Sequence, residues 1–326
     1  MYVNCIQASG ARGVQASKGM TMLVGTCSWP GRTTRQAQKL YGTPKPTAEQ
    51  ELRCYSNIFP TVEVDSTFYA LPSLQNCQRW AERTPEDFVF HIKAFSLFTT
   101  HGTRIRNLPA DIRLTLPPNL QSKPQLYLQD VPEPVKDELW RRYREALEPL
   151  QQVGKLGFIL LQFAPWFEPS RENADYVLSC QDHLYGIDVA VEFRNRGWFE
   201  GRLRQRTPEW LRENNLTMVC VDTPQGIDTS VPPVAGATAP QSYVRLHGRN
   251  TTSWSQHGSS VNNIHDYWYT EVELQEWLGR VRQLGEQTER TYVLFNTVQG
   301  LETAQIFQRM VSSDSGTPEA LGDNRD

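Results

Sequence analysis

The chain has 326 residues, which is enough for two average domains or one large α/β barrel. Its 33 Lys and Arg residues against 36 Asp and Glu residues give a net charge of −3, so no global positive field attracts nucleic-acid backbones. Nucleic acid would therefore need a local basic cleft.

The cysteine spacing and the apolar stretches indicate where in the cell the protein is expected. The six cysteines form neither a CxxC pair nor a short Cys/His ligand spacing, so we expect no structural zinc. The most apolar stretch, LGFILLQFAPWF, is far shorter than the roughly 20 residues of a membrane span. The N-terminus lacks the continuous apolar core of a signal peptide. We therefore expect a cytoplasmic protein that does not contact a membrane.

Short β-branched or apolar runs alternate with segments of helical character along the chain. Eight such runs are MLVGT (22–26), TVEVD (61–65), FVFHIK (88–93), LGFILLQF (156–163), DVAVEF (188–193), LTMVCVD (216–222), SYVRLH (242–247) and TYVLFN (291–296). An alternating βα pattern implies a parallel sheet, and eight units favour a closed barrel over an open doubly wound sheet. An open sheet would also carry GxGxxG after its first strand, and GTCSWPG does not supply it.

The predicted fold is thus an α/β protein, a single-domain (β/α)8 barrel of the TIM type over residues 21–311. Residues 1–20 are predicted to be a flexible extension and residues 312–326 a disordered tail. Helix-start signals stand at Thr47 with Gln50, Thr270 with Glu273, Thr207 with Pro208, Ser73 and Ser170, and residues 133–150 have helical periodicity. Two long segments, 94–132 and 248–269, follow strands 3 and 7 on the face where such barrels place active sites.

Polar residues recur on one side of the predicted strands. In DVAVEFRNRGWF (188–199), Val189, Val191 and Phe193 facing the helices would leave Glu192 and Arg194 facing the barrel interior. The same alternation on six further strands turns inward Glu63, Asp65, His91, Lys93, Gln162, Cys220, Asp222, Tyr243, Arg245, His247 and Asn296. Ordinary barrel interiors are layers of branched aliphatic side chains, so this set predicts a functional site at the mouth.

Structural and functional roles remain open for several of these residues. We interpret Glu63, the deepest, as a structural partner of Arg245 or Lys93. Glu192 with Arg194 stands at a strand end and is the stronger functional candidate. His247 fits either role. The rim aromatics could form a stacking platform or simply pack: Trp29, Trp198, Trp254 and Tyr69.

Several motifs occur together in a recognisable order: VGTCSWPG, TVEVDSTFYALPS, RWAERTPEDFVFHIKA, LGFILLQFAPWF, VAVEFRNRGWF, YVRLHGRN and YVLFNTVQG. Over about residues 22–310 the chain resembles the YecE-like family, also called domain-of-unknown-function family 72. The resemblance implies a (β/α)8 barrel without a settled reaction. It implies polar site positions at Glu63, Thr67, Tyr69, Lys93, His101, Gln162, Glu192, Arg194, Trp198, Asp222, Arg245, His247, Gly248 and Asn296. Asp65 stands where that family usually has Asn, which bears on the accepted ligand.

The favoured hypothesis is an enzyme acting on a small anionic or hydroxyl-rich substrate by acid-base chemistry. Lys93, Arg194 and Arg245 would clamp a phosphate or carboxylate, while Glu192 and His247, with Asp222 as a third catalytic candidate, would move protons. The other predicted substrate-binding residues are Glu63, Asp65, Tyr69, His101, Gln162, Trp198, Asn296 and Trp254. We expect no metal and no cofactor. The alternatives are nucleic-acid binding or processing, with the aromatic residues stacking on a base, and ligand binding without turnover.

Overall fold

A computed structural model of the chain describes residues 14–16, 20–29, 38, 41–43, 45–226, 230–254 and 265–313. Parallel strands close into a barrel in which each strand lies beside its neighbours in the chain and the last pairs with the first. The eight strands are β1 (Met20–Cys27), β2 (Thr61–Val64), β3 (Val89–Lys93), β4 (Leu156–Gln162), β5 (Val189–Glu192), β6 (Thr217–Asp222), β7 (Gln241–Leu246) and β8 (Arg290–Phe295). The predicted barrel is confirmed, and each predicted run overlaps its strand, with β1, β7 and β8 beginning one or two residues before the predicted run.

Helices surround the barrel. They are α1 (Ala48–Ile58), α2 (Leu74–Glu82), α3 (Glu133–Gln152), α4 (Arg171–His183), α5 (Leu203–Glu213), α6 (Glu271–Gly285) and α7 (Gly300–Ser313). Shorter helical turns span Ser66–Phe68, Ser96–Thr99, Ile105–Asn107, Ala110–Thr115, Pro118–Gln121, Leu128–Asp130, Arg196–Phe199 and Thr251–Trp254. The connection from β6 to β7 differs from the others, because its described residues, 223–226 and 230–240, contain no helix.

The predicted helix starts are mostly confirmed. Capping boxes at Thr47 and Thr270 open α1 and α6, and the Ser73 and Ser170 side chains cap α2 and α4. The start predicted at Thr207 is wrong, since α5 begins four residues earlier, at Leu203. Thr207 instead lies within α5, and its hydroxyl donates at 2.6 Å to the carbonyl oxygen of Trp198, in the preceding helical turn.

Outside the barrel, the structure describes only parts of the predicted end segments. Val14–Ala16 forms a short strand antiparallel to the start of β1, within the predicted N-terminal extension. Most of the predicted C-terminal tail, residues 314–326, lies outside the described residues.

The long segment after β3 contains a two-stranded sheet, Thr103–Arg104 with Gln125–Leu126. None of the described helices is long and apolar enough to cross a membrane.

Strand register determines which side chains face the interior, because residues paired between parallel strands point to the same side. Cys27 pairs with Glu63, and Glu63 pairs with His91. On the opposite wall Gln162 pairs with Glu192. All of these side chains point inward, as the alternation predicts for the last four.

An aromatic layer fills the barrel below the charged residues. The His91 ring lies 5.6 Å from that of Phe158, 4.8 Å from Tyr243 and 4.4 Å from Tyr292. Gly157 makes room for it, since an added Cβ would come within 2.6 Å of His91 Nδ1. The Phe158 backbone N–H donates to Nδ1 at 3.0 Å, so the ring proton sits on Nε2 and the imidazole is neutral. The charged layer thus has a rigid aromatic base.

Candidate functional site

Arg245 is the centre of a fully enclosed ion-pair layer. Its Nε and Nη2 donate to the two oxygens of Glu63 at 2.9 and 2.6 Å, in a bidentate pair. Its Nη1 donates to Glu192 Oε2. The side chains of Arg245 and Glu63 are 0 % exposed and that of Glu192 is 1 % exposed. Tyr243, from the aromatic layer, donates its hydroxyl to Glu63 at 2.7 Å. The predicted pairing of Glu63 with Arg245 is therefore present.

Glu192 links this buried layer to the barrel mouth. Its Oε1 accepts from Gln162 Nε2 at 2.8 Å, Arg194 Nε at 2.9 Å and His247 Nε2 at 3.2 Å. Burial alone raises the pKa of Glu192, but Arg245, His247 and Arg194 outweigh it and hold the pKa well below its usual range. Glu192 is consequently an ionised carboxylate whose two oxygens already accept from four side chains.

His247 lies beside Glu192 in a defined tautomer. Its Nδ1 is 3.1 Å from Asn296 Nδ2, which can only donate, so the imidazole proton is assigned to Nε2 and points at Glu192. Burial lowers the pKa of His247 to about 3, with the neighbouring Arg245 adding to the effect and Glu192 opposing it. His247 is neutral at physiological pH and orients the carboxylate.

A second, partly exposed layer lies above the first. Lys93 Nζ is 3.5 Å from Asp65 Oδ1 and 4.6 Å from the centre of the Phe68 ring. The side chains of Lys93 and Arg194 are 13 and 21 % exposed, so solvent reaches both cations. His101 lies close to them: burial, Lys93 and Arg194 together lower its pKa to about 4, while its Nδ1 is 2.9 Å from the Thr99 hydroxyl.

The inward orientation predicted for Cys220 and Asp222 is wrong. Asp222 pairs with Leu246, one residue away from the inward Arg245, and therefore points outward. Its carboxylate accepts from Arg249 Nε at 3.1 and 2.9 Å and from the Tyr269 hydroxyl at 2.8 Å. Cys220 faces the Gly236 carbonyl oxygen in the helix-free connection. Asp222 thus orders the loop after β7, apart from the Glu192 network.

The predicted rim aromatics lie in different surroundings. Trp198 packs on the outer, helix-facing side of the sheet, stacked 4.1 Å from Phe193, with its Nε1 donating to the Phe167 carbonyl oxygen at 2.8 Å. Trp29 contacts Trp80, at 5.7 Å between ring centres. Tyr69 is exposed beside Phe68, at the mouth. The backbone of Trp254 ends a short helix, and its side chain lies outside the described residues.

Two aromatic residues at the mouth, Phe68 and Trp166, are not among the site residues predicted from the sequence. Phe68 carries the Lys93 cation on its face, and Trp166 lies 5.8 Å from the His101 ring with its own ring exposed. Phe68 follows the carboxyl end of β2, and Trp166 follows the carboxyl end of β4. That position was the available signal, since such loops build the active sites of these barrels.

One group of the described residues brings metal-binding atoms together: Cys27, Glu63 and Asp65 offer atoms within 4.8 Å of one another. The surroundings oppose a cation there. Both Glu63 oxygens accept from Arg245, whose Nη2 lies 3.8 Å from Cys27 Sγ. Burial raises the pKa of Cys27 well above its usual range, so its sulfur is a protonated thiol. A divalent ion would have to displace the guanidinium.

Comparison with known proteins agrees with this architecture. The family model described as "Protein of unknown function DUF72" matches residues 23–323. The chain belongs to the DUF72 family. It is 30 % identical over 272 residues to the UPF0759 protein YunF of Bacillus subtilis (strain 168), covering 82 % of this chain and 88 % of that protein. The YecE-like resemblance of the motifs is thereby confirmed.

Two solved structures of DUF72 family proteins share the fold. The one from Enterococcus faecalis V583 is 23 % identical, with a TM-score of 0.71 covering 90 % of this chain and 95 % of that chain. The one from Thermotoga maritima MSB8 is 26 % identical, with a TM-score of 0.68 covering 89 % and 98 %. These likenesses concern family and fold, and the chemistry must be argued from the site itself.

Proposed function

We propose that this protein is an enzyme that binds a small substrate through a phosphate or carboxylate at the carboxyl face of the barrel. The observation that carries the proposal is one continuous polar network. It begins at the enclosed pair of Glu63 and Arg245, passes through Glu192 and reaches solvent at Arg194. An interior of this kind is costly to form, which favours a role for the group that it positions at the surface.

The two solvent-reaching cations suit an anionic group. Lys93 and Arg194 come from different walls of the barrel and are each paired with a carboxylate, Asp65 or Glu192. Such pairing fixes the position of a cation before a ligand arrives and so reduces the entropy lost on binding. Arg194 has the planar, forked donor geometry that binds phosphate or carboxylate in two places. These two residues are therefore the proposed anion clamp.

We propose different roles for the acid-base candidates. Glu192 accepts from four side chains and stays ionised, which fits a positioning residue for Arg194 better than a proton carrier. His101 is half-buried, close enough to both cations for each to lower its pKa, and neutral. A bound anion would counter the charges of Lys93 and Arg194 and raise the pKa of His101 toward neutrality. His101 is thus the proposed proton-transfer group, activated by the substrate.

The test is a turnover screen with matched variants. Purified protein is incubated with a library of phosphorylated and carboxylated small molecules, and depletion is followed by mass spectrometry. For a substrate found in this way, we expect Arg194→Met to weaken binding and His101→Asn to reduce kcat by about a hundredfold or more at little change in affinity. The control is Arg196→Met, because Arg196 is exposed and paired with Glu200.

Several outcomes would contradict the proposal. If Arg194→Met and Arg196→Met weakened substrate binding equally, the proposed anion clamp would be wrong. If a library member bound tightly but no member were turned over, the protein would be a binding protein and not an enzyme. The third outcome is binding of single-stranded DNA that weakens steeply with salt and is abolished by Arg194→Met. It would favour a nucleic-acid-binding function. The negative charge of Asp65 at the mouth opposes that function.

A further inference from the structure

A wall of aromatic rings borders the proposed anion clamp. Phe68 lies 5.2 Å from Tyr69 and 5.0 Å from His101, and His101 lies 5.8 Å from Trp166, as measured between ring centres. Tyr69 is 54 % and Trp166 is 57 % exposed, so two large rings at the ends of the wall face solvent. Exposed aromatic rings that are grouped beside charged residues are typical of ligand-binding surfaces.

The wall is held in place. Trp166 Nε1 donates to the Thr100 carbonyl oxygen at 3.3 Å, which fixes one edge of the indole. Phe68 lies under the Lys93 ammonium, and the neighbouring Thr67 hydroxyl is bonded to the Lys93 carbonyl oxygen at 2.6 Å. Rigid rings lose little conformational entropy when a ligand covers them, as in other aromatic binding surfaces.

The charges beside the wall require a ligand with two different ends. Arg194 and Lys93 favour an anion, whereas the Asp65 carboxylate, 3.5 Å from Lys93, repels one. A carboxylate that is partly exposed at a binding site accepts hydrogen bonds from hydroxyl groups. The ligand that satisfies both ends carries an anionic group at Arg194 and hydroxyl groups at Asp65.

We propose that the ligand of this site is a sugar phosphate, an inference that rests on the proposed anion clamp and extends it. The phosphate binds Arg194 and Lys93, hydroxyl groups donate to Asp65, and the C–H face of the sugar ring covers Trp166 or Tyr69. Ring C–H groups carry partial positive charge and fit the negative face of an aromatic ring. An aromatic phosphate would fit the wall but offer no donor to Asp65, and an open-chain polyol phosphate would leave the wall uncovered.

Calorimetric titration with defined probes tests each part. The sugar phosphates are glucose 6-phosphate, fructose 6-phosphate and ribose 5-phosphate, compared with glycerol 3-phosphate, phenyl phosphate and glucose. We expect at least one sugar phosphate to bind tenfold or more tightly than glycerol 3-phosphate and phenyl phosphate. Trp166→Ala or Tyr69→Ala should abolish the advantage over glycerol 3-phosphate, and Asp65→Asn should reduce the advantage over phenyl phosphate. Tyr185→Ala is the control, since Tyr185 is an exposed ring away from the mouth, with the Arg144 guanidinium 3.6 Å from its centre.

The outcomes separate the two proposals. If glycerol 3-phosphate or phenyl phosphate binds as tightly as every sugar phosphate, and Arg194→Met weakens them equally, the clamp stands and the sugar inference is overturned. If the ring variants weaken sugar phosphates and glycerol 3-phosphate alike, the aromatic wall does not recognise the sugar ring, and the sugar inference is overturned. If no phosphate binds at all, the sugar inference is overturned, and the clamp is overturned as well unless a carboxylated library member binds and Arg194→Met weakens it.

Discussion

The interior and the mouth of this barrel contain similar ion pairs in different surroundings. In the interior, Arg245 joins Glu63 and Glu192 with no solvent contact. At the mouth, Lys93 pairs with Asp65 in partial contact with solvent. Glu192 belongs to both, because one oxygen accepts from Arg245 and the other from Arg194.

The difference indicates what each layer contributes. Removing one member of a buried pair leaves an uncompensated charge where water cannot reach it, whereas water takes over at an exposed pair. Interior substitutions should therefore act on folding, and mouth substitutions on ligand binding. Three measurements can break or sharpen this comparison.

The largest effect is expected for Arg245→Met. The variant leaves two buried carboxylates without their guanidinium, and the free energy of unfolding should fall by about 3–5 kcal/mol in urea titrations. The matched control is Arg141→Met, because Arg141 also pairs with two carboxylates, Glu138 and Glu145, but its side chain is 53 % exposed. The control should lose only a small part of that stability. Equal losses in the two variants would show that burial does not decide the role of an ion pair here.

A smaller effect is expected from the neutral histidines of the interior. Burial lowers the pKa of both His91 and His247 to about 3, so neither takes up a proton in the folded state near pH 5. In the unfolded chain each histidine is protonated below about pH 6.5, so protons favour unfolding. The stabilisation is complete above that pH and is lost as the pH falls toward 3.

Urea unfolding between pH 8 and pH 5 measures this dependence. Below about pH 6, each of these two histidines should lower the free energy of unfolding by up to about 1.4 kcal/mol per pH unit. His247→Gln should reduce the slope by about one proton, although the variant is also less stable at pH 8. A slope that the substitution does not change would mean that His247 is protonated in the folded protein.

The alternation of apolar residues was sufficient to predict the barrel and most of its interior. It placed Glu63, Glu192 and Arg245 inward because polar residues interrupt each of those strands. It failed on β6, where TMVCVD is apolar at both parities and either face satisfies the pattern. The orientation there is decided by partners distant in sequence, namely Arg249 and Tyr269 for Asp222.

Aromatic residues at the rim show a second limit of the sequence. Trp198 and Trp166 both follow a strand, yet one packs outward against Phe193 and the other lies beside His101. Their spacing from the strands does not distinguish them. Hydrogen bonds to the carbonyl oxygens of Phe167 and Thr100 fix their positions, and these contacts depend on loop conformations that local patterns do not specify.

The smallest effect on folding is expected for Arg194→Met, and it is the sharpest comparison because Arg194 and Arg245 bind the same carboxylate. Arg194 approaches Glu192 Oε1 from the mouth, where Gln162 and His247 also donate. Loss of Arg194 should therefore lower the free energy of unfolding by less than about 1 kcal/mol. The combined Arg194→Met and Arg245→Met variant then measures whether the two arginines act independently on Glu192. A single substitution at Arg194 that costs as much as one at Arg245 would make the mouth part of the folding core. It would also remove the distinction on which the proposed anion clamp depends.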